Sequence, residues 1–148
     1  MDWLTRLGGN ADSVRVGLFV DGPNVLRDEF DVDLDEIRET AEAKGPLSLT
    51  RLYLNEHAPP GLIQAAEARG FEVVTTSGDV DVRLSVDATE AAVSGAIDVL
   101  AIVSRDTDFK PVIELAARNG LGTFAIAPGE YGNSDALRNA AQDAVTLE

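Results

Sequence analysis

VRVGLFVDGPNV, residues 14–25, decides the fold. Its apolar residues, interrupted only by Arg15 and Gly17, run directly into Asp21, and Gly22-Pro23 prevents the strand from continuing. A short Val/Leu/Phe run of this kind reads as a strand covered on both faces, with an acid at its carboxyl end. Four later stretches have the same character, namely LSLTRLYL (47–54), FEVVTT (71–76), DVLAIVS (98–104) and GTFAIA (122–127).

Helix-like stretches separate them. DVDLDEIRETAEAKG carries Leu34, Ile37 and Ala41 at helical spacing and stops at Gly45-Pro46. PGLIQAAEARG, DVRLSVDATEAAVSG and FKPVIELAARNG stop at Gly70, Gly95 and Gly120. Strand and helix in repeated alternation predict an α/β domain, with a central, mostly parallel sheet of five to six strands flanked by helices on both faces. The tail, NSDALRNAAQDAVTLE, predicts a short helix and a terminal edge strand, VTL. Residues 1–13 read as a leader ending in Gly8-Gly9-Asn10, and one domain accounts for residues 14–148.

Composition narrows the chemistry. With no cysteine there is no disulfide, zinc–thiolate site or thiol nucleophile, and the single histidine, His57, lies in a loop-like NEHAPPG stretch. Any metal must therefore be held by oxygen, which points to Mg2+ or Mn2+. No apolar run reaches the roughly 18 residues of a membrane helix, and the expectation is a cytoplasmic protein. Net charge is −14, with two lysines against ten arginines and 26 acids, a balance that suits a salt-loving source. Such a charge repels nucleic acid in dilute buffer, but at about 1 M salt the screening length falls to ~3 Å and local contacts decide binding.

In open parallel sheets, ligands bind beyond the carboxyl ends of the strands. Strand one ends in Asp21, followed by Asn24; strand four ends in Ser104-Arg105-Asp106-Thr107-Asp108; after strand three, Asp79-Val80-Asp81 opens a helix. Three strand ends thus carry carboxylates to one edge of the sheet. Like charges so gathered raise one another's pKa, and a divalent cation between them removes that penalty. Asp21, Asp81, Asp106 and Asp108 are the candidate metal ligands, and metal-assisted phosphodiester hydrolysis is the chemistry they suit. Asn24 is a candidate ligand or phosphate donor, with helix capping as its plain alternative. Ser104 and Thr107 are candidate polar liners, while Arg83, Arg105 and Lys110 stand near enough in sequence to grip phosphate oxygens. Asp87 is a fifth candidate for the metal site; it lies six residues beyond Asp81, roughly 240° around a regular helix, so it would reach the cleft only from an adjacent angle. Asp79 reads as a solvated turn acid. Tyr131, in the loop APGEYGNS, is a candidate base-stacking ring, though a lone loop tyrosine more often packs on its own domain.

VGLFVDGPNV, DVDVRLSVDA and DVLAIVSRDTDFKPVIELAARNG, taken in this order and spacing, resemble the NYN-domain family, in particular its LabA-like branch among the PIN-like ribonucleases. The resemblance spans about residues 14–147. It implies a Rossmann-like PIN fold, a Mg2+ or Mn2+ site and endonucleolytic processing of RNA. It places the acidic site on Asp21, Asp81, Asp106 and Asp108, with Asn24 and Asp87 in support. Two positions depart from the family pattern: Thr76-Ser77-Gly78-Asp79 stands where a lysine often precedes the Val-Asp-Val segment, and Arg105 replaces the usual glycine of Ser-Gly-Asp-x-Asp-Phe.

Two other readings compete. In one, the same carboxylates hold a metal with RNA or a nucleotide and no turnover follows. In the other, the chain is a phosphohydrolase or phospho-acceptor. The second lacks the acid it wants two residues after Asp21, where Pro23 stands, and the late-strand lysine, where Ala127-Pro128-Gly129 stands. The sequence leaves a homodimer open.

Overall fold

The computed structural model describes residues 14–26, 33–129 and 135–147. The leader expected over residues 1–13 and Tyr131 lie outside the described residues.

Six strands form one sheet: β1 (Val16–Asp21), β2 (Leu47–Asn55), β3 (Glu72–Thr76), β4 (Val99–Val103), β5 (Gly122–Ala127) and β6 (Asp143–Thr146). Their order across the sheet is β3-β2-β1-β4-β5-β6, and every neighbouring pair is parallel. The sheet is therefore wholly parallel among the described residues, a stronger result than the mostly parallel one expected. All six residues of β1 are buried, as a central strand covered on both faces requires.

Side chains alternate between the faces with period two. Leu18, Val20, Leu52, Leu54, Ala101, Val103, Phe124 and Ile126 pack under α2 (Leu34–Glu42) and α3 (Pro60–Ala68). Phe19, Tyr53, Leu100, Ile102 and Ala125 pack under α4 (Val80–Ser94), α5 (Lys110–Arg118) and α6 (Asp135–Ala140). Helices lie on both faces, as expected. The four central helices end just before the predicted glycines; Gly95, at φ 79, takes the left-handed C-terminal position that a side chain would disfavour.

One element was not expected. A single helical turn, α1 (Gly22–Val25), follows β1 directly, with Pro23 inside its first turn. Proline fits there because the amide it lacks has no partner in a first turn, and its fixed φ is already helical. What reads in sequence as a strand-breaking turn thus folds back at once over the sheet edge. No described helix is long and apolar enough to cross a membrane.

Candidate metal centre

The strand order places a topological switch between β1 and β4: the chain leaves β1 toward β2 and β3, then crosses to build β4, β5 and β6 on the other side. The crevice at such a switch, beyond the carboxyl ends, is the general ligand site of open α/β sheets. Asp21 ends β1, and Ser104 follows β4 directly.

Period-two alternation decides which side of the sheet receives them. Asp21 is two residues beyond Phe19, Asn55 two beyond Tyr53, and Ser104 two beyond Ile102, and all three apolar residues face α4 and α5. The polar strand ends therefore emerge on the face whose edge is completed by the start of α4, where Asp81 sits in the first turn. Asp21, Pro23, Asn24, Asn55, Gly78, Asp79, Val80, Asp81 and Asp106 line one open cleft of about 370 Å³. Asp21 and Asp106, 85 positions apart in sequence, share it.

Hydrogen bonds tie the strand ends together. The Ser104 hydroxyl donates to Asp21 Oδ2 at 2.9 Å and accepts the Asp106 amide at 3.0 Å. The Arg105 amide donates to Asn24 Oδ1 at 2.9 Å, bracing α1 against the end of β4. Asp106 Oδ1 in turn accepts the Asp108 amide at 2.9 Å, capping the 3-10 turn Thr107–Phe109 that leads into α5. Asp81, Asp106 and Asp108 each offer a carboxylate oxygen, all within 4.8 Å of one another. Asp81 and Asp106 are half-buried and Asp108 is exposed, so the group opens to solvent on one side. Hard oxygen donors at this spacing fit a small divalent cation that keeps part of its water shell.

Asp21 stands outside that tight trio although it lines the same cleft. It is only 5% exposed. Burial pushes its carboxyl up to about 6, the Ser104 hydroxyl opposes the shift, and the neighbouring charges of Asp106 and Asp81 add to it. The ionised form of this carboxyl is disfavoured by burial and by its acidic neighbours, a cost that a nearby cation would offset. No described residue lining the cleft is basic.

Asp87 takes a different position from the one expected. Its Oδ2 accepts the Tyr53 hydroxyl at 2.8 Å, and Arg83 Nε lies 3.2 Å from the same oxygen. It belongs to neither the carboxylate trio nor the lining of the cleft. The physical reason is the helical rotation between positions 81 and 87, which turns Asp87 toward β2. Arg83 is consequently paired inside the domain, one turn from Asp87 on α4. Thr107 and Lys110 are exposed beside the Asp106–Asp108 turn, and Arg105 is half-buried. Burial raises the pKa of the Tyr53 phenol, and its bond to Asp87 raises it further, so the hydroxyl is a constant donor. Tyr53→Phe removes that donor from a carboxylate only 14% exposed, and a loss of about 1–2 kcal/mol is expected by chemical denaturation.

One lining residue carries no signal in a search for acids: Asn55 ends β2 just as Asp21 ends β1, but it is an amide. Asp79 is exposed in the turn before α4, as expected of a solvated turn acid, and from the N-cap of α4 it also lines the open cleft without capping the helix through its side chain.

Gly22 is what lets Asp21 and Asn24 come so close to β2. A Cβ there would stand 2.3 Å from the Tyr53 carbonyl oxygen and 2.5 Å from the Leu54 side chain. The first obstacle is central-strand backbone and cannot yield. Gly22→Ala is therefore expected to cost roughly 1–3 kcal/mol and to weaken divalent-cation binding, read by thermal unfolding with and without Mg2+.

The pattern of the NYN domain matches residues 15–148. The chain belongs to the NYN domain family. An uncharacterised protein of Methanocaldococcus jannaschii is 44% identical to this NYN domain over 133 residues, covering 90% of the chain and 55% of that relative. The chain thus spans about half the length of the curated relative it matches. A crystal structure of a protein of unknown function from Vibrio parahaemolyticus superimposes with a TM-score of 0.79 over 95% of this chain and 97% of that one. At 21% identity that likeness shows the fold alone, and it agrees with the PIN-like, Rossmann-type topology of the NYN domain.

Proposed function

We propose that this NYN domain, of the LabA-like branch, is a divalent-cation-dependent endoribonuclease. One observation carries the reading: three carboxylates from α4 and the β4–α5 turn meet within 4.8 Å beside a fourth, Asp21, that burial has pushed to about 6. Asp81, Asp106 and Asp108 would hold Mg2+ or Mn2+. Bound there, the cation would supply positive charge to the phosphodiester and would lower the pKa of the attacking water.

The chain's own groups do the rest. Asp21, buried beside the trio and held by the Ser104 hydroxyl, is placed to take up the proton of the attacking water. Ser104 holds Asp21 and the Asp106 backbone in one register, so that the β1 and β4 ends act together. Asn24 has its Oδ1 committed to the Arg105 amide, which leaves Nδ2 as a donor for a phosphate or ribose oxygen. Arg105 and Lys110, on either side of the Asp106–Asp108 turn, are the cations proposed to contact flanking phosphates. Asp87, which accepts from Tyr53 and pairs with Arg83, supports α4. Thr107, exposed in the same turn, is a further polar contact.

A second reading has its own observation. No described residue lining the cleft is basic, so a phosphate there would be held through the cation, and in this reading the domain would bind metal and RNA without cutting. Cleavage of a single-stranded RNA in high-salt buffer, with and without Mg2+ or Mn2+, decides between the two.

The charge of −14 adds a kinetic expectation. Raising KCl toward about 1 M shrinks the screening length to ~3 Å, so KM for RNA is expected to fall, opposite to the usual salt dependence of nucleic-acid binding. A KM that rises steadily with salt would remove both this expectation and the proposed high-salt cytoplasmic setting.

A further inference from the structure

We infer that a second, apolar pocket beside the metal centre is a subsite for the nucleobase of a bound nucleotide. The inference rests on the proposed binding of a phosphate in the acidic cleft, though not on cleavage.

The pocket is lined by Gly22, Pro23, Leu26, Leu54, Asn55, Ala58 and Leu62, with a volume of about 130 Å³. Leu26, Ala58 and Leu62 are only partly buried and pack against the core on the α2/α3 face of the sheet. The acidic cleft opens on the opposite, α4 face. The two meet at the carboxyl edge, where Pro23 and Asn55 line both. A ligand therefore finds an anionic, cation-demanding end and an apolar end, separated by the ridge of α1.

A nucleotide has that polarity: a charged phosphate and, across a ribose, a flat ring with apolar faces and polar edges. The walls offer Leu, Ala and Pro surfaces to ring faces, as small-molecule sites commonly do. The rim supplies one oriented polar group. Asn55 Oδ1 accepts the His57 amide at 2.9 Å, which leaves Asn55 Nδ2 as a donor to a ring carbonyl or ring nitrogen. Among the described residues no charged side chain lines this pocket.

Binding of uridine 5′-monophosphate and of ribose 5-phosphate, each measured by calorimetry with Mg2+ in high-salt buffer, tests this without any cutting. The base is expected to tighten binding roughly tenfold or more, from apolar ring surface removed from water. Ala58→Phe, which fills the pocket, is expected to erase that difference while ribose 5-phosphate binds as before; the unchanged sugar phosphate reports an intact fold and metal centre. Leu62→Phe provides the same test from α3 should Ala58→Phe not fold. Equal affinity for the two compounds in the parent overturns the subsite, as does a preference that survives both fillings or an absence of binding by either compound. If base-dependent binding stands while single-stranded RNA is not cut, the nuclease reading falls and the subsite remains. Cutting without base dependence gives the reverse.

Discussion

Asp106→Asn is expected to cleave single-stranded RNA at least ~100-fold more slowly than the parent, about 3 kcal/mol of barrier. Asparagine is the informative replacement because it separates charge from structure. Asp106 Oδ1 accepts the Asp108 amide and so builds the turn that presents Asp108; an asparagine oxygen keeps that bond. Ser104 holds the Asp106 backbone amide, which the substitution leaves alone. The change removes one negative charge from the trio of Asp81, Asp106 and Asp108. The loss should therefore appear in Mg2+-dependent rate and affinity, with the thermal unfolding of the chelated protein barely altered. Equal background rates for parent and variant, with or without divalent cation, would sink the nuclease and favour a non-cutting RNA or nucleotide module.

Asp21→Asn is expected to stabilise the metal-free domain above pH 6. The group's folded pKa, about 6, lies above its ordinary value of 3.8. Below 3.8 the carboxyl is protonated in both states and contributes nothing to any difference. Between 3.8 and about 6 the folded protein holds a proton that the unfolded chain has released, so stability falls as pH rises. Above about 6 the penalty is complete, and a shift of this size corresponds to about 3 kcal/mol. An asparagine is neutral throughout and escapes it. In EDTA at pH 8 the variant should unfold at a higher temperature than the parent, with the gap closing as pH falls toward 4. Mg2+ is expected to raise the parent more than the variant, since a cation on the trio would also offset the buried charge that only the parent carries at position 21. A variant less stable than the parent at pH 8 in EDTA would show that Asp21 is not strained by its burial.

Much of the site was legible because it sits at strand ends. Asp21 and Asp106 stand just after buried apolar runs, where a ligand-binding acid is expected, and both line the cleft. Asn55 obeys the same rule, but an amide carries no charge to mark it as a ligand. Asp87 shows where one-dimensional reading stops. The family resemblance named it in support, while the turn of α4 aims it at Tyr53 and Arg83. Gly22 read as a strand breaker, whereas its closer constraint is the Tyr53 carbonyl beneath it, a partner 31 residues away in sequence.

The amino-acid order alone determined the alternation of strands and helices, the oxygen-only metal chemistry of a chain without cysteine, and the edge of the sheet at which the acids gather. Those properties follow from local spacing and residue type. Tertiary structure alone decided which face receives them. Strands buried on both sides carry apolar residues at successive positions, so their sequence does not distinguish one face from the other. Only the packing of α4 over Phe19, Tyr53 and Ile102 sends Asp21, Asn55 and Ser104 toward Asp81 and leaves the apolar pocket on the far side of α1.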